Sequence, residues 1–259
     1  MNDSVLHFYD QLSGDYHRLF EDWPRFVQRQ GEALDRLLQT LLGSCPHSVL
    51  DCCCGIGTQA IALALRGYSV RATDLSAKAV ERARREAQTY GVTIPFGVAD
   101  VRKLAEHVTD SFDVVLACDN ALPHLLDDAD LQQGVSSMAA RLRPGGLFVA
   151  STRDYDALVQ ERPRSTPLKV FDNGNERRIV FQVWDWAADG RSYRLQQFIL
   201  QGDGTTWHTQ VYPTHYRALL RAELTAFLER AGLGDVRWHR AEETGYHQPL
   251  VTARKPFLG

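Results

Sequence analysis

The stretch Asp51-Cys52-Cys53-Cys54-Gly55-Ile56-Gly57-Thr58 joins an apolar run, Ser48-Val49-Leu50, to a helix-like run, Gln59 to Leu65. A glycine loop between a strand and a helix N-terminus is the entry unit of an α/β nucleotide-binding fold. About seventeen residues beyond Gly57, a second apolar run, Tyr68 to Thr73, ends in Asp74. A carboxylate at that strand tip can accept from both hydroxyls of a ribose. Gly55, Gly57 and Asp74 together predict a bound nucleoside.

Gly55-x-Gly57-x-x-Ala60 also fits a dinucleotide loop. Asp51 tips the balance. A pyrophosphate docks on the N–H groups of a helix N-terminus, and a carboxylate just below it is a poor neighbour. S-adenosylmethionine (SAM) has no phosphate; it carries an ammonium and a sulfonium. Asp51 can hold the ammonium through ordered water or backbone contacts. Asp100, after Pro95 to Ala99, is placed to accept from an adenine amino group. Cys53, Leu75, Val101 and Cys118, beside these strand tips, complete the expected cofactor-binding set.

These residues need a sheet to position them. A fourth strand, Phe112 to Ala117, is followed by a helix, Asp127 to Leu142, the turn Arg143-Pro144-Gly145-Gly146 and a fifth strand, Leu147 to Ser151. From about Val49 to Ser151 the order of pieces resembles the class I SAM-dependent methyltransferases. The resemblance implies an α/β fold with a Rossmann-like, mostly parallel sheet and an antiparallel C-terminal strand.

The chain has 259 residues, 44% hydrophobic and 24% charged, with net charge −3. This suits one large α/β domain with an insertion. No basic stripe argues for nucleic acid. No apolar run reaches membrane-spanning length, and the N-terminus carries neither an apolar core nor a basic leader, so a cytoplasmic enzyme without membrane contact is expected. Three of the five cysteines are adjacent, whereas metal sites use spaced pairs. They read as reduced packing thiols, and no metal is expected.

Residues 1–44 read as an N-terminal helical lid. Gln28 to Leu42 bears an apolar stripe at helical spacing, and the preceding segment is rich in aromatics, with Tyr16 and Trp23 as candidate lid residues. Residues 45–159 form the SAM-binding core. Residues 160–213 alternate in polarity: Ile179 to Trp186, a turn at Ala187-Ala188-Asp189-Gly190, Tyr193 to Leu200, a second turn, then Trp207 to Tyr212. They predict an antiparallel β cap above the strand tips, serving as a substrate cover, an oligomer contact, or both. Residues 214–259 supply a helix, Arg217 to Ala231, and closing strands.

Methyl transfer from a sulfonium is an in-line displacement, so a site must chiefly align the nucleophile and exclude water. A base is needed only for a nucleophile protonated at working pH. Three polar clusters can do this: Cys118 to His124 after the fourth strand, Ser151 to Asp156 after the fifth, and Tyr212-Pro213-Thr214-His215-Tyr216 leaving the cap. Asn120 can bind the methionine part of SAM or the nucleophile, Arg153 can clamp a carboxylate or pair with Asp154 or Asp156, and Tyr212 can line a site or pack cap on core.

In this order the clusters resemble the glycine and sarcosine N-methyltransferases, on Asn120 with His124-Leu125, Arg153-Asp154-Tyr155-Asp156 and Tyr212-Pro213. The resemblance implies that Arg153 holds a substrate carboxylate, that Asn120 helps to place the amine, and that Arg29 meets the SAM carboxylate. The family's Gly-Asn-Ser reads Asp119-Asn120-Ala121 here, and the added negative charge favours a cationic or amine acceptor. Tyr16, Tyr155, Tyr212 and Tyr246 can surround a methylammonium. The expected function is methyl transfer to the nitrogen of a small amine or amino acid. Three alternatives stand: O- or C-methylation of a larger acceptor with His124 or His215 as base, a SAM-binding sensor or scaffold without catalysis, and an NAD-binding oxidoreductase.

Overall fold

A computed structural model describes residues 3–44, 47–173 and 176–257; Cys45 lies outside them. Two helices come first, α1 (Asp3–Leu12) and α2 (Trp23–Leu42), with a short 3-10 turn, Tyr16–Leu19, between. Asp22 starts α2 by accepting the Arg25 N–H at 2.9 Å, and Pro24 sits in its first turn, where no N–H is required. The stripe Val27, Leu34 and Leu38 faces inward. Gly31 lets α2 lie against the next core helix: a Cβ there would come 2.8 Å from that of Ala62.

The core alternates β1 (Ser48–Asp51), α3 (Thr58–Ala64), β2 (Ser69–Asp74), α4 (Ala77–Thr89), β3 (Phe96–Val98), β4 (Phe112–Ala117), α5 (Asp128–Ala140) and β5 (Leu142–Ser151), followed by α6 (Tyr155–Glu161). The chain later adds α7 (Arg221–Arg230), β10 (Gly234–His239), α8 (Ala241–Thr244) and β11 (Leu250–Arg254). The seven-stranded sheet runs β10-β11-β5-β4-β1-β2-β3. All neighbours pair in parallel except β11, antiparallel to both β5 and β10. Val49, Leu50, Val114, Val115, Phe148 and Val149 are fully buried, as strands covered on both faces require. Leu34, Leu38 and Ile61 pack on one side; Leu131, Met138, Leu224 and Leu228 on the other.

A separate antiparallel sheet has the order β6-β7-β8-β9, with β6 (Lys169–Asn173), β7 (Glu176–Trp186), β8 (Ser192–Gly202) and β9 (Trp207–Arg217). Two features differ from the sequence expectation. β6 is an additional strand. β9 continues through Pro213 to Arg217, past the expected boundary at 213, because an edge strand tolerates a residue without an N–H. Phe8 and Leu12 of α1 pack with Val180, Ile199 and Tyr212, tying the N-terminal helix to this sheet.

Candidate functional site

The loop after β1 turns under the tip of β2. Asp74 accepts the Gly55 N–H at 2.8 Å and the Ser76 N–H at 2.9 Å, so its carboxylate is held at the rim of a cavity of about 70 Å³. Burial pushes the Asp74 carboxyl up, against the pull of these N–H groups. Gly57 (φ 97°) caps α3; a Cβ there would meet Ile61 at 2.9 Å. Gly55 (φ 51°) leaves open space above the loop. Cys53, Gly55, Asp74, Leu75, Val101 and Cys118 all line this cavity, and Tyr9 of α1 closes it from above.

Three expected cofactor residues are placed differently. Asp51 lies beneath the loop, fully buried and off the cavity lining; Oδ1 accepts the Cys53 N–H at 3.3 Å and Oδ2 has no partner. Burial raises its pKa well above the carboxylate range. Asp100 is turned to Arg102, whose guanidinium reaches Oδ2 at 2.6 Å and binds Asp130 as well. Burial would raise the Asp100 carboxyl, but the Arg102 hydrogen bonds prevail and hold it low. Its neighbours Ala99 and Val101 line the cavity instead. Arg29 is exposed on α2 and faces a wide cleft of about 1160 Å³, not the nucleoside cavity.

After β4 the backbone enters two consecutive left-handed residues, Asp119 (φ 57°) and Asn120 (φ 66°). Asp and Asn tolerate this region better than other side chains. Asp119 thereby lines both the nucleoside cavity and a second pocket of about 120 Å³; Tyr9 and Tyr16 are the other residues common to the two. Burial, then the charge of Asp119, pushes the Tyr16 hydroxyl up, so it stays protonated. Asn120 is buried as a brace: its amide donates to Tyr155 Oη at 3.0 Å and its carbonyl accepts the Arg153 N–H at 3.1 Å.

Arg153 dominates the second pocket. Its guanidinium donates to Tyr193 Oη and to Gln182 Oε1, both at 3.0 Å, and lies 4.7 Å from the centroid of Trp184 and 5.3 Å from that of Tyr216. Among the described residues no carboxylate pairs with it: Asp154 and Asp156 are taken by Arg221, at 2.8 and 3.6 Å. A desolvated guanidinium ringed by neutral groups can receive an anion bidentately.

His124 is buried beside these residues. Its Nε2 is 2.9 Å from Tyr9 Oη and its ring packs on Tyr216 at 4.1 Å. Burial drives its pKa down to about 3, so it is neutral near pH 7. Tyr212 and His215 lie elsewhere. Alternation along β9 turns Tyr212, Thr214 and Tyr216 inward and His215 outward. Tyr212 meets Asp15 at 2.6 Å, between the cap and the start of the 3-10 turn after α1, while Tyr216 reaches the pocket. Trp23 packs against Tyr90 and Thr58. Tyr155 is buried behind Asn120, and Tyr246 donates to Asp119 at 2.8 Å. Sequence reading missed Tyr9, Gln182 and Tyr193; Tyr216 stood in the third cluster, and the alternation of β9 carried the signal that it, rather than Tyr212, reaches the pocket.

A family model described as a methyltransferase domain matches residues 49–146. The glycine/sarcosine N-methyltransferase of Aphanothece halophytica is 21% identical over 92% of this chain and 87% of its own length. The glycine N-methyltransferase of Rattus norvegicus is 32% identical over 44% of this chain and 42% of its own. Among solved structures, a SAM-bound amino pentose methyltransferase from Micromonospora echinaspora has a TM-score of 0.72 at 18% identity, over 88% of this chain and 91% of that one. No described helix is long and apolar enough to cross a membrane.

Proposed function

We propose that this chain, a SAM-dependent methyltransferase with the class I fold, methylates the amine nitrogen of a small acceptor that also carries a carboxylate. The observation that carries the reading is Arg153: a guanidinium without a carboxylate partner among the described residues, in a pocket that shares Asp119, Tyr9 and Tyr16 with the nucleoside cavity. Arg153 anchors the carboxylate. Asp119 draws the ammonium toward the junction of the two pockets.

Asp74 and Gly55 at the rim of the cavity fit a cofactor with ribose hydroxyls. When bound, SAM supplies an electrophilic methyl group. Tyr9 and Tyr16 exclude water between the pockets, and Arg153 with Asn120 fixes the line of approach. The name of the glycine/sarcosine N-methyltransferase agrees with nitrogen as the acceptor atom. No observation favours a histidine base for O- or C-methylation: His124 Nε2 is engaged by Tyr9, and His215 faces outward.

The test is S-adenosylhomocysteine release with SAM and a panel of glycine, sarcosine, dimethylglycine, other amino acids and simple amines, with Arg153→Ala in parallel. Turnover of an amino acid that collapses in the variant, with cofactor binding intact, is expected. Equal turnover by Arg153→Ala, or turnover confined to amines without a carboxylate, would overturn the reading.

A further inference from the structure

Methylating an ammonium must shed one proton per turnover, and a pocket roofed by α1 and the cap gives that proton no open route upward. We propose that Asp119 takes the proton from the acceptor's ammonium and passes it to His247, which releases it into the wide cleft beside α2. The inference rests on the amine reading above and adds the proton's acceptor and its exit.

Asp119 is held for this by groups on α3 and on the segment before β11. Tyr246 donates to Oδ1 at 2.8 Å, and Gln59 of α3 donates to Oδ2 at 3.0 Å. His247 Nε2 stands 3.5 Å from Oδ1. The other ring nitrogen, Nδ1, lies 2.8 Å from Gln30 Oε1 on α2. With Gln30 anchoring Nδ1, Nε2 is the ring nitrogen that faces Asp119 and can exchange a proton with it. His247 lines the acceptor pocket on one side and the cleft of about 1160 Å³ on the other, with 31% of its side chain exposed. Phe26 packs edge-on against the imidazole at 5.2 Å, and Phe20 stacks on Phe26, so the ring stays in this gap.

The surrounding charges suit a relay rather than a fixed ion pair. Desolvation lowers the His247 pKa, and Lys169 of β6, Arg153 and Arg29 lower it further; Asp119 opposes them. The ring is therefore neutral near pH 7 and loses a received proton readily. Around Asp119 stand Tyr246, Tyr16 and Cys118, each held protonated by burial. These neutral neighbours leave the carboxylate as the proton acceptor of the pocket.

The step balances. An N–H bond of the ammonium breaks and its proton goes to Asp119, then to His247 Nε2, then to water in the cleft. The freed lone pair on nitrogen forms the N–CH3 bond as the S–CH3 bond breaks, that pair passing to sulfur. The product leaves as a methylammonium.

Four measurements on the full chain test this. His247→Gln should lower kcat/KM at pH 7 about 10²-fold and shift its acid limb up to the acceptor amine's own pKa, with cofactor affinity unchanged. His247→Ala should recover activity with added imidazole, in proportion to the free base, because the cleft admits it. Asp119→Asn, which keeps the shape, should lose activity and gain nothing from imidazole. The proton NMR titration of His247, read without turnover, should move to lower pH in Asp119→Asn. Wild-type rate and pH limb in His247→Gln, no imidazole rescue, or an unmoved titration would each overturn the relay. If the wild type turns over no amine at all, the amine reading falls and the relay with it; turnover with insensitive variants removes the relay alone.

Discussion

The cavity under the glycine loop and the Arg153 pocket, proposed to hold cofactor and acceptor, touch at Asp119, Tyr9 and Tyr16 but are built in opposite ways. The first is lined largely by residues at consecutive strand tips: Gly55 after β1, Asp74 and Leu75 after β2, Val101 after β3, Cys118 after β4. The second is made of side chains converging from α1, the loops after β4 and β5, strands β7, β8 and β9, and the segment before β11. A cofactor of fixed shape can be met by a local motif repeated down a sheet. An acceptor pocket is assembled by long-range packing, and its residues are free to change one at a time.

That contrast can be strained by experiment. Arg153→Ala removes two charge-assisted hydrogen bonds to a carboxylate, each worth about 2 kcal/mol; kcat/KM for a carboxylate-bearing acceptor should fall about 10³-fold while S-adenosylhomocysteine affinity, read by calorimetry, stays put. Asp74→Ala should do the converse: cofactor affinity about 10²-fold weaker, with acceptor specificity unchanged. A mutation at either end that damages both equally would mean the pockets are one unit.

His124 gives a pH-dependent comparison. Its folded pKa, about 3, lies below the ordinary 6.5, so the unfolded chain binds the extra proton between those values. Its share of stability is full above about 6.5 and is lost as pH falls toward 3, at about 1.4 kcal/mol per pH unit. Chemical denaturation of His124→Phe should show a flatter slope across that window. The smallest effect is expected at Tyr212→Phe. Asp15 keeps Gln210 at 2.9 Å and Arg18 at 2.7 Å, so stability should drop by about 1 kcal/mol with KM unchanged within error. A raised KM would bring Tyr212 back to the site.

The same contrast explains what could be read in the chain beforehand. The order of the core strands, the glycine loop and Asp74 were legible because each is signalled within a few residues of itself. Asp100 misled because the residue that engages it, Arg102, is only two positions on and was not weighed as its partner. Arg29 and Tyr212 were assigned by resemblance, which transmits element order better than side-chain direction. Tyr216 needed the strand to be followed through Pro213, and Tyr9 needed the docking of α1 on the cap, which no local pattern encodes. β6 escaped because Lys169-Val170-Phe171-Asp172-Asn173 has too short an alternation to stand out.

The two left-handed residues at the tip of β4 bear on how such a pocket changes over generations. Their backbone accepts Asp, Asn or Gly with little rebuilding. Aspartate codons become asparagine or glycine codons through a single nucleotide change. The charge met by an incoming acceptor is thus one mutation away from being neutralised, on a scaffold that need not move. Loss of the Asp119 carboxylate, and with it the proton acceptor proposed for the pocket, therefore needs no rebuilding of the backbone around it.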